Sequence, residues 1–420
     1  MKKDLSKLKL DVKKNMAYTK GAIKRRAKGA LKYDYLVPGG VYEEQWDWDA
    51  FFMGVALTSE IPSEAIYLKN WALNYILNAH KDGKVAGCIT KDGDDPRLNH
   101  MKPFLAQGAY IAAKNLGDFS WLKPNWSTMK KVVMYREKHL WDKKRGLAMW
   151  HDSMESGADN NVAGYRTESL KGMERELGTK YDALRKERGG FIKEDVKDYP
   201  KGTIAFPDVN TYTYLEYKAM SLIAKQIGKK KDAEIFAEKA KVLKKNIETY
   251  LWNKEDEIYY SLNTKTGQQI KHISFSSFHP MFAGITSQKQ ADAMISRYLM
   301  NPKHMLSKFG ARTLSKQDTH YNNVNMLKPH SNWQGPVWPI ANNIYMFGLI
   351  NYGHQEEALE LAKRISKLVL SDIDKTGGMH ENYDAETGEP LAAPNFVSWN
   401  VLVVTMIENA EEMRNPFRIS

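Results

Sequence analysis

Residues 214–228 read YLEYKAMSLIAKQIG, and residues 232–252 read DAEIFAEKAKVLKKNIETYLW. In the first stretch apolar residues recur at three- and four-residue steps from Leu215, which predicts an amphipathic α-helix. Gly228 offers a stop signal for that helix. The second stretch shows the same period, and only a short Gly-Lys turn separates the two. The pair therefore predicts an αα-hairpin.

Further helical segments follow the same pattern and make roughly ten to twelve helices in all. They are 62–80, 104–116 with 124–138, 337–351 with 355–370, and 396–413. Long connections lie between them, at 33–49, 81–102, 142–207, 302–336 and 371–395. Extended runs are too few for a large sheet, and no repeat of fixed period is present. Hairpins alternating with long loops indicate an all-α toroid.

Composition favours a globular protein with a substantial core. The chain has 420 residues, of which 42% are hydrophobic and 27% charged. Its formal charge of +12 comes mostly from residues 1–33, which carry twelve of the 62 basic residues and only two of the 50 acidic ones. This segment could bind a polyanion or a membrane surface. We favour a first helix that packs through Met16, Ile23 and Leu31, and predict no nucleic-acid partner.

The sequence carries no signal for a disulfide, a membrane span or a leader. Cys88 is the single cysteine, so no intramolecular disulfide can form. The N-terminus lacks the continuous apolar run of a secretory signal, and no stretch is long enough to span a bilayer. We expect a cytoplasmic protein with no membrane association and no cofactor; the oligomeric state stays open.

Four loop segments combine carboxylates or amides with Trp or Tyr, which together are typical of a carbohydrate site. They are YEEQWDWDAFF (42–52), WHDSMESGADNNVAGY (150–165), SNWQGPVWPIANN (331–343) and GGMHENYDAETGEP (377–390). Aromatic rings stack on the apolar faces of sugars, while carboxylates and amides bind hydroxyl groups. Eight of the eleven tryptophans lie in or beside the long connections, where packing alone would not require so many.

Glycoside cleavage needs two carboxyl groups, one protonated to assist the leaving oxygen and one ionised to act on the opposite face. Asp159 and Glu381 are the best candidates, since each stands in a glycine-containing loop beside amides and aromatics. A loop-capping or hydroxyl-binding role stays open for both. Other acids in similar settings are Asp47, Asp49, Glu155 and Asp208.

Other chemistries find no support in the sequence. The GxxxxGK[ST] phosphate loop, the GxGxxG fingerprint, the GxSxG elbow and the HExxH pair are all absent. The eleven histidines are scattered, and we interpret His151, His279 and His380 as hydrogen-bonded loop or core residues. We therefore predict no metal ligands, and whether a structural metal is bound stays open.

Five ordered segments resemble the motifs of glycoside hydrolase family 63 and its trehalase-like relatives. They are PGGVYEEQWDWDAFF, SGADNN, PDVNTYTYLEYKAM, NWQGPVWPIANN and GGMHENYDAETGEP. Within that group the chain looks most similar to the compact bacterial enzymes of the mannosylglycerate and glucosylglycerate hydrolase type. The resemblance covers roughly residues 30–412.

The resemblance implies an (α/α)6 barrel of six helical hairpins that hydrolyses an α-glycosidic bond with inversion. By motif, Asp159 corresponds to the general acid and Glu381 to the general base. The implied domains are a basic helical segment over 1–32 and a single catalytic domain over 33–420, with lid loops around 81–102 and 166–206. Basic residues of the second loop, among them Arg166 and Lys193, would suit an anionic aglycone.

The same correspondence suggests the residues that bind substrate. Those expected to line the subsite of the released sugar are Trp46, Trp48 and Asp49, with Trp333, Gln334, Gly335, Trp338 and Asn342 on a facing wall. We add Tyr42, Gln107, Asn160, Tyr383 and Trp399 as further candidates. Many relatives have Arg at the position of Gln334, and several have Gln where this chain has Cys88, so both departures affect substrate identity.

The function predicted from sequence is hydrolysis of a small α-glucoside or α-mannoside. The sugar, and whether the aglycone is glycerate, another small acid or a second sugar, stay open. Alternatives are a trehalase or another six-hairpin disaccharide-processing enzyme, such as a glycoside phosphorylase. From a different class, a non-catalytic sugar-binding helical barrel also stays open.

Overall fold

A computed structural model describes residues 2–94, 98–164, 200–325 and 331–420, with no side-chain detail for residues 2 and 3. The chain divides into two compact units. Unit 1 comprises 1–148, 209–249 and 396–420. Unit 2 comprises 149–208 and 250–395.

Among the described residues, helices are the main regular elements of both units. In chain order they are α1 (Lys2–Asn15), α2 (Thr19–Ile23), α3 (Asp47–Glu60), α4 (Ile66–Leu77), α5 (Leu105–Leu116), α6 (Leu122–His139), α7 (Ser153–Ser156), α8 (Pro207–Gln226), α9 (Lys230–Tyr250), α10 (His279–Phe282), α11 (Gln288–Met294), α12 (Pro339–Asn351), α13 (Gln355–Thr376) and α14 (Val403–Glu411). Short 3-10 turns occur at Pro62–Ala65, Val162–Gly164, Phe275–Phe278 and Ser398–Leu402, and a π-helical turn at Ile295–Leu299.

The described strands are two or three residues long and form small antiparallel sheets, in agreement with the prediction that extended runs are too few for a large sheet. They are β1 (Lys24–Arg25), β2 (Tyr35–Leu36), β3 (Gln45–Trp46), β4 (Cys88–Thr90), β5 (Gly93–Asp94), β6 (Trp141–Asp142), β7 (Leu147–Ala148), β8 (Ile204–Ala205), β9 (Trp252–Asn253), β10 (Ile258–Tyr259), β11 (Ser261–Asn263) and β12 (Gln269–Ile270). The sheet orders are β1-β2, β3-β4-β5, β6-β7, β8-β11-β12 and β9-β10.

The predicted hairpins are confirmed. Helices α8 and α9 cover the two stretches that open the sequence analysis, and Gly228 between them adopts a left-handed φ of 78°. Most of their apolar stripes are buried, with Ala219, Ile223 and Phe236 fully inaccessible, but Ile235 is 39% exposed. In unit 2, α12 packs on α13, which confirms the predicted pair 337–351 with 355–370. Across the residues that the structure describes, no helix is both long and apolar enough to cross a membrane.

Helix α3 is the main element that the sequence analysis misses, because part of it was assigned to the connection 33–49. Twelve of its fourteen residues are buried, so it has no polar face to reveal a helical period. Asp47 begins the helix and is 1% exposed. Its carboxylate accepts hydrogen bonds from the backbone N–H of Lys102 at 2.7 Å and from Lys102 Nζ at 3.1 Å. A buried charge requires such a partner.

The basic N-terminal segment is not one continuous helix. It contains α1, α2 and β1, and it buries Met16, Ile23 and Leu31 as predicted. Within unit 1, α1 lies along α14, where Lys9 and Lys13 form ion pairs with Glu411 and Glu408. Part of its positive charge is therefore matched by acidic groups of the same unit.

The predicted domain limits stay predictions. The greater part of the second proposed lid, 166–199, lies outside the described residues and includes all of the basic residues proposed to contact an anionic aglycone. Residues 95–97 of the first proposed lid also lie outside them.

Candidate active site

Glu381 stands in a loop that folds back on itself after α13. The helix ends at Gly377, whose φ of 79° is left-handed. Beyond it, the backbone N–H of Glu381 donates to the carbonyl of Ala392 at 3.1 Å. Tyr383 exchanges two backbone hydrogen bonds with Val337, at 2.8 and 2.9 Å. These bonds fix the backbone around Glu381, which is only 8% exposed.

A second buried carboxylate, Asp372, braces the same loop from the last turn of α13. Its Oδ2 accepts hydrogen bonds from the backbone N–H of His380 and from the Tyr383 hydroxyl, both at 2.8 Å. His380 Nδ1 lies 3.0 Å from the same oxygen. Asp372 therefore holds the residue before Glu381 and the residue two positions after it. This confirms that His380 is a hydrogen-bonded loop residue.

Asn382, next to Glu381, has unusual surroundings. The residue is 1% exposed, and neither its amide oxygen nor its amide nitrogen has a hydrogen-bond partner among the described residues. Buried amides are normally satisfied, and exceptions call for an explanation. The sequence analysis did not select Asn382, although it stands inside the HENYD motif.

Asp159 follows the short helix α7, which begins at a side-chain cap. Asp152 Oδ1 accepts a hydrogen bond from the backbone N–H of Glu155 at 3.1 Å, which caps the start of α7. Gly157 ends α7 with a left-handed φ of 81°. Asp159 comes two residues later and is half-buried. The break in the helical pattern at GADNN is thus a glycine-terminated turn.

Asn160 joins the segment after Asp159 to the distant motif SNWQG. The backbone N–H of Trp333 donates to Asn160 Oδ1 at 2.6 Å, and Gln334 Nε2 donates to the carbonyl of Asn160 at 2.9 Å. Asn160 Nδ2 donates to Asn332 Oδ1 at 3.2 Å. These contacts lie inside unit 2 and are buried. The predicted substrate-binding amides of Asn160 and Gln334 are therefore also structural.

Asn322 extends this network into an amide frame, which we define as Asn160, Asn322, Asn332 and Gln334. Asn332 Nδ2 donates to Asn322 Oδ1 at 2.8 Å, and Asn322 Nδ2 donates to Gln334 Oε1 at 3.0 Å. A Cβ on Gly335 would lie 2.2 Å from the carbonyl oxygen of Asn322, so only glycine fits there. The run YNNVN, 321–325, was the available sequence signal for Asn322.

Two predicted aromatic residues stack on each other, and one of them is hydrogen-bonded to this frame. The rings of Trp333 and Trp338 are 4.1 Å apart and 20° from parallel, and Trp338 Nε1 donates to the carbonyl of Asn332 at 2.8 Å. Asn342 has another task. Its Nδ2 donates to the carbonyls of Ala311 and Trp338, and its Oδ1 accepts from the backbone N–H of Ala311. A substrate-binding role for Asn342 stays a prediction, with most of its hydrogen-bonding capacity already used.

The remaining predicted residues lie in unit 1. Trp48 and Trp399 meet edge to face with centroids 5.3 Å apart, and Tyr42 stands edge to face with Trp46 at 6.3 Å. Gln107 is 1% exposed, and its Nε2 donates to the carbonyl of Tyr212 at 3.1 Å. Ring clusters of this kind can support sugar stacking or simply pack the fold.

Asp49 is a buried carboxyl group in the first turn of α3. The Ser398 hydroxyl donates to its Oδ1 at 2.6 Å. Burial raises the pKa of Asp49 to about 7, because the charged form is poorly solvated. A carboxyl group that retains its proton near neutral pH can donate as well as accept hydrogen bonds.

The predicted residues thus fall into two sets. Unit 2 contains Asp159, Asn160, Trp333, Gln334, Gly335, Trp338, Asn342, Glu381 and Tyr383, and unit 1 contains Tyr42, Trp46, Trp48, Asp49, Gln107 and Trp399. Three of the competing acids have structural contacts. Asp47 pairs with Lys102, Asp208 accepts from Trp150 Nε1 at 2.9 Å, and Glu155 accepts from the backbone N–H of His151.

A family model for the mannosylglycerate hydrolase MGH1-like glycoside hydrolase domain matches residues 42–399. The chain belongs to this MGH1-like family of glycoside hydrolases. The family resemblance predicted from the five motifs is confirmed. The matched span includes Asp159, Glu381 and every candidate substrate-binding residue.

Solved structures share the fold. The GH63 mannosylglycerate hydrolase from Thermus thermophilus, in complex with Tris and D-glycerate, has a TM-score of 0.66 and 17% identity, and the match covers 95% of this chain and 99% of that one. Neutral trehalase Nth1 from Saccharomyces cerevisiae has a TM-score of 0.62 and 18% identity, covering 92% and 77%. The predicted fold class, all-α of the (α/α)6 six-hairpin type, is confirmed.

A curated relative is the cytosolic neutral trehalase of Kluyveromyces lactis, 22% identical over 401 residues. The match covers 85% of this MGH1-like chain and 51% of the relative. The chain therefore spans about half the length of this curated trehalase.

The raised pKa of Asp49 predicts how stability depends on pH. Between about pH 4 and about pH 7 the folded state keeps a proton that the unfolded state has released, so this group's stabilising contribution falls as the pH rises through that window. Asn at this position can accept the Ser398 hydrogen bond but does not titrate. We expect the free energy of unfolding of wild type minus that of Asp49→Asn to fall by about 2–4 kcal/mol across the window.

Urea unfolding of both proteins at several pH values measures this difference directly. A difference that is constant, or that increases with pH, would contradict the assignment of a protonated Asp49.

Proposed function

We propose that this MGH1-like protein is an inverting α-glycosidase, with Asp159 as general acid and Glu381 as general base. The carbohydrate class of its substrate follows from its membership of a glycoside hydrolase family. The assignment of these two catalytic residues is supported by contacts within unit 2 that fix the chain on both sides of each carboxylate. Gly157 and Asn160 flank Asp159, and His380 and Tyr383 flank Glu381.

In this mechanism Asp159 donates a proton to the glycosidic oxygen as the bond to the anomeric carbon breaks. Glu381 takes a proton from a water molecule that attacks the opposite face. Inversion requires the two carboxyl groups to be about 6.5–9.5 Å apart, so that this water fits between base and sugar. Asn382, a buried amide beside Glu381, is suited to orient the water or a sugar hydroxyl.

We propose a small α-mannoside or α-glucoside as substrate, with glycerate as the first aglycone to test. The solved mannosylglycerate hydrolase supports this choice through its shared fold and its match across most of both chains. A trehalase activity is the second candidate, supported by the match to curated trehalases. A cytoplasmic location, also a proposal, agrees with the single buried cysteine, Cys88.

Separate tests of the two carboxylates distinguish their roles. Asp159→Asn and Glu381→Gln should each lower turnover of a natural glycoside roughly 10²- to 10⁴-fold, since each removes a proton-transfer group. An α-glycosyl fluoride releases its leaving group without protonation. On that substrate Asp159→Asn should therefore recover most of the lost rate, while Glu381→Gln should not.

The matched controls are Asp374→Asn and Glu389→Gln, both of exposed residues. Each should leave turnover within about two-fold of wild type, as surface changes away from special features usually have small effects. If Asp159→Asn and Glu381→Gln also stayed within a few-fold of wild type, the assignment would be wrong.

Asp372→Asn tests the brace around Glu381. The substitution removes the charge and leaves one acceptor oxygen where Asp372 has two, so the hydrogen bonds from His380 and Tyr383 should weaken and the loop should lose its fixed position. We expect kcat to fall about 10-fold while KM changes less than about three-fold, because misplacing a catalytic group affects the chemical step. Asp374→Asn, two positions along the same helix, is the control. Unchanged kcat in a folded Asp372→Asn protein would contradict a positioning role.

A further inference from the structure

Three side chains to which the sequence analysis gave no role meet in unit 2, and we refer to them as the His–Asp–His cluster: His272, Asp318 and His320. His272 follows β12, and the other two lie in the connection before the amide frame. Asp318 Oδ2 lies 2.7 Å from His272 Nδ1, and Asp318 Oδ1 lies 3.1 Å from His320 Nδ1. One ligand atom of each residue lies within 4.8 Å of the other two.

The donor set suits a divalent transition metal. Two imidazole nitrogens and one carboxylate oxygen are ligands that Zn²⁺ binds at about 2.0–2.2 Å. In a tetrahedral site with such bonds, neighbouring ligand atoms are separated by about 3.3–3.5 Å. The two measured nitrogen–oxygen separations are already slightly shorter than this. Small side-chain rotations would therefore admit an ion.

Accessibility and charge also fit an ion. The side chains of His272, Asp318 and His320 are 23%, 8% and 14% exposed, so the cluster is largely enclosed but reachable from solvent. In each contact an imidazole and an oxygen of Asp318 share one hydrogen. A neutral imidazole can move its proton from Nδ1 to Nε2, which leaves Nδ1 free to bind a cation. The ion then takes the place of the shared hydrogens, and no proton has to be released from the imidazoles.

We propose that the His–Asp–His cluster is a binding site for one divalent transition-metal ion, best matched by Zn²⁺, with water completing the coordination. The sequence analysis named no metal ligands, because it treated the histidines as scattered. The separation of 46 residues between His272 and Asp318 hid the cluster.

A hydrogen bond to the backbone of His320 links the His–Asp–His cluster to the amide frame, which includes Asn160. Asn322 Nδ2 donates to the carbonyl of His320 at 2.9 Å and also belongs to the amide frame that holds Asn160. A metal ion at His320 would therefore fix the start of the segment that carries this frame. Its effect is structural, so it should raise thermal stability whether or not the chain hydrolyses glycosides.

The test uses the full-length chain without a histidine tag, treated with a chelator and then dialysed. Titration with ZnCl₂ by isothermal calorimetry should give one ion per chain with a Kd in the micromolar range or tighter, and saturating Zn²⁺ should raise Tm by several degrees. His272→Ala and His320→Ala should each weaken binding at least ~10-fold and lower the Tm shift at the same Zn²⁺ concentration, since each removes a ligand.

The matched control is His354→Ala, because His354 also contacts carboxylates, with Nε2 2.8 Å from Asp292 Oδ1 and Nδ1 3.5 Å from Glu357 Oε1. It should bind Zn²⁺ as wild type does. If the alanine variants do not fold, Zn²⁺ binding is measured on His272→Gln instead, because this variant keeps a hydrogen-bond donor toward Asp318. No binding by wild type at micromolar Zn²⁺, or unchanged binding in the cluster variants, would overturn the proposal.

Discussion

The side chain of Asn160 is the contact on which the proposed catalytic centre most depends. It joins the residue after Asp159 to Asn332 and Trp333, which are more than 170 positions away in the chain. A buried amide with several partners has one favourable orientation, because leaving any of its groups unpaired costs about 1–3 kcal/mol. The backbone beside Asp159 is therefore fixed by hydrogen bonds from a different motif rather than by a helix or strand.

The loop of Glu381 uses the same principle with a charge in place of an amide. Asp372 accepts hydrogen bonds from both sides of Glu381, and bonds to an ionised acceptor are stronger than neutral ones. Both proposed catalytic groups thus stand on irregular backbone that buried polar side chains hold in place. This matches the general arrangement of catalytic residues on loops that a rigid scaffold positions.

The local sequence pattern was enough to predict the amphipathic helices and the motif segments. It was not enough for features that depend on burial or on contacts outside the local sequence. Helix α3 was not predicted because it is buried on nearly every side, so no polar stripe marks its helical period. Asn322 and Asp372 were not predicted because their partners lie 8 to 12 positions away along the chain, outside the spacings of a helix or a tight turn. The histidine prediction failed to consider His272 with His320 for the same reason. Conversely, Asn342 shows that a motif residue selected for sugar binding can be occupied with backbone contacts.

The most direct test of the proposed activity is a proton NMR time course of the purified chain with α-linked substrates: mannosylglycerate, glucosylglycerate, trehalose, kojibiose, nigerose and maltose. An inverting enzyme must release the β-anomer first, because water attacks the face opposite the leaving group. We expect the β-anomer to appear first from at least one member and to convert slowly to the α-anomer. First appearance of the α-anomer would contradict inversion, and absence of turnover across the panel would contradict the proposed hydrolysis of small α-glycosides.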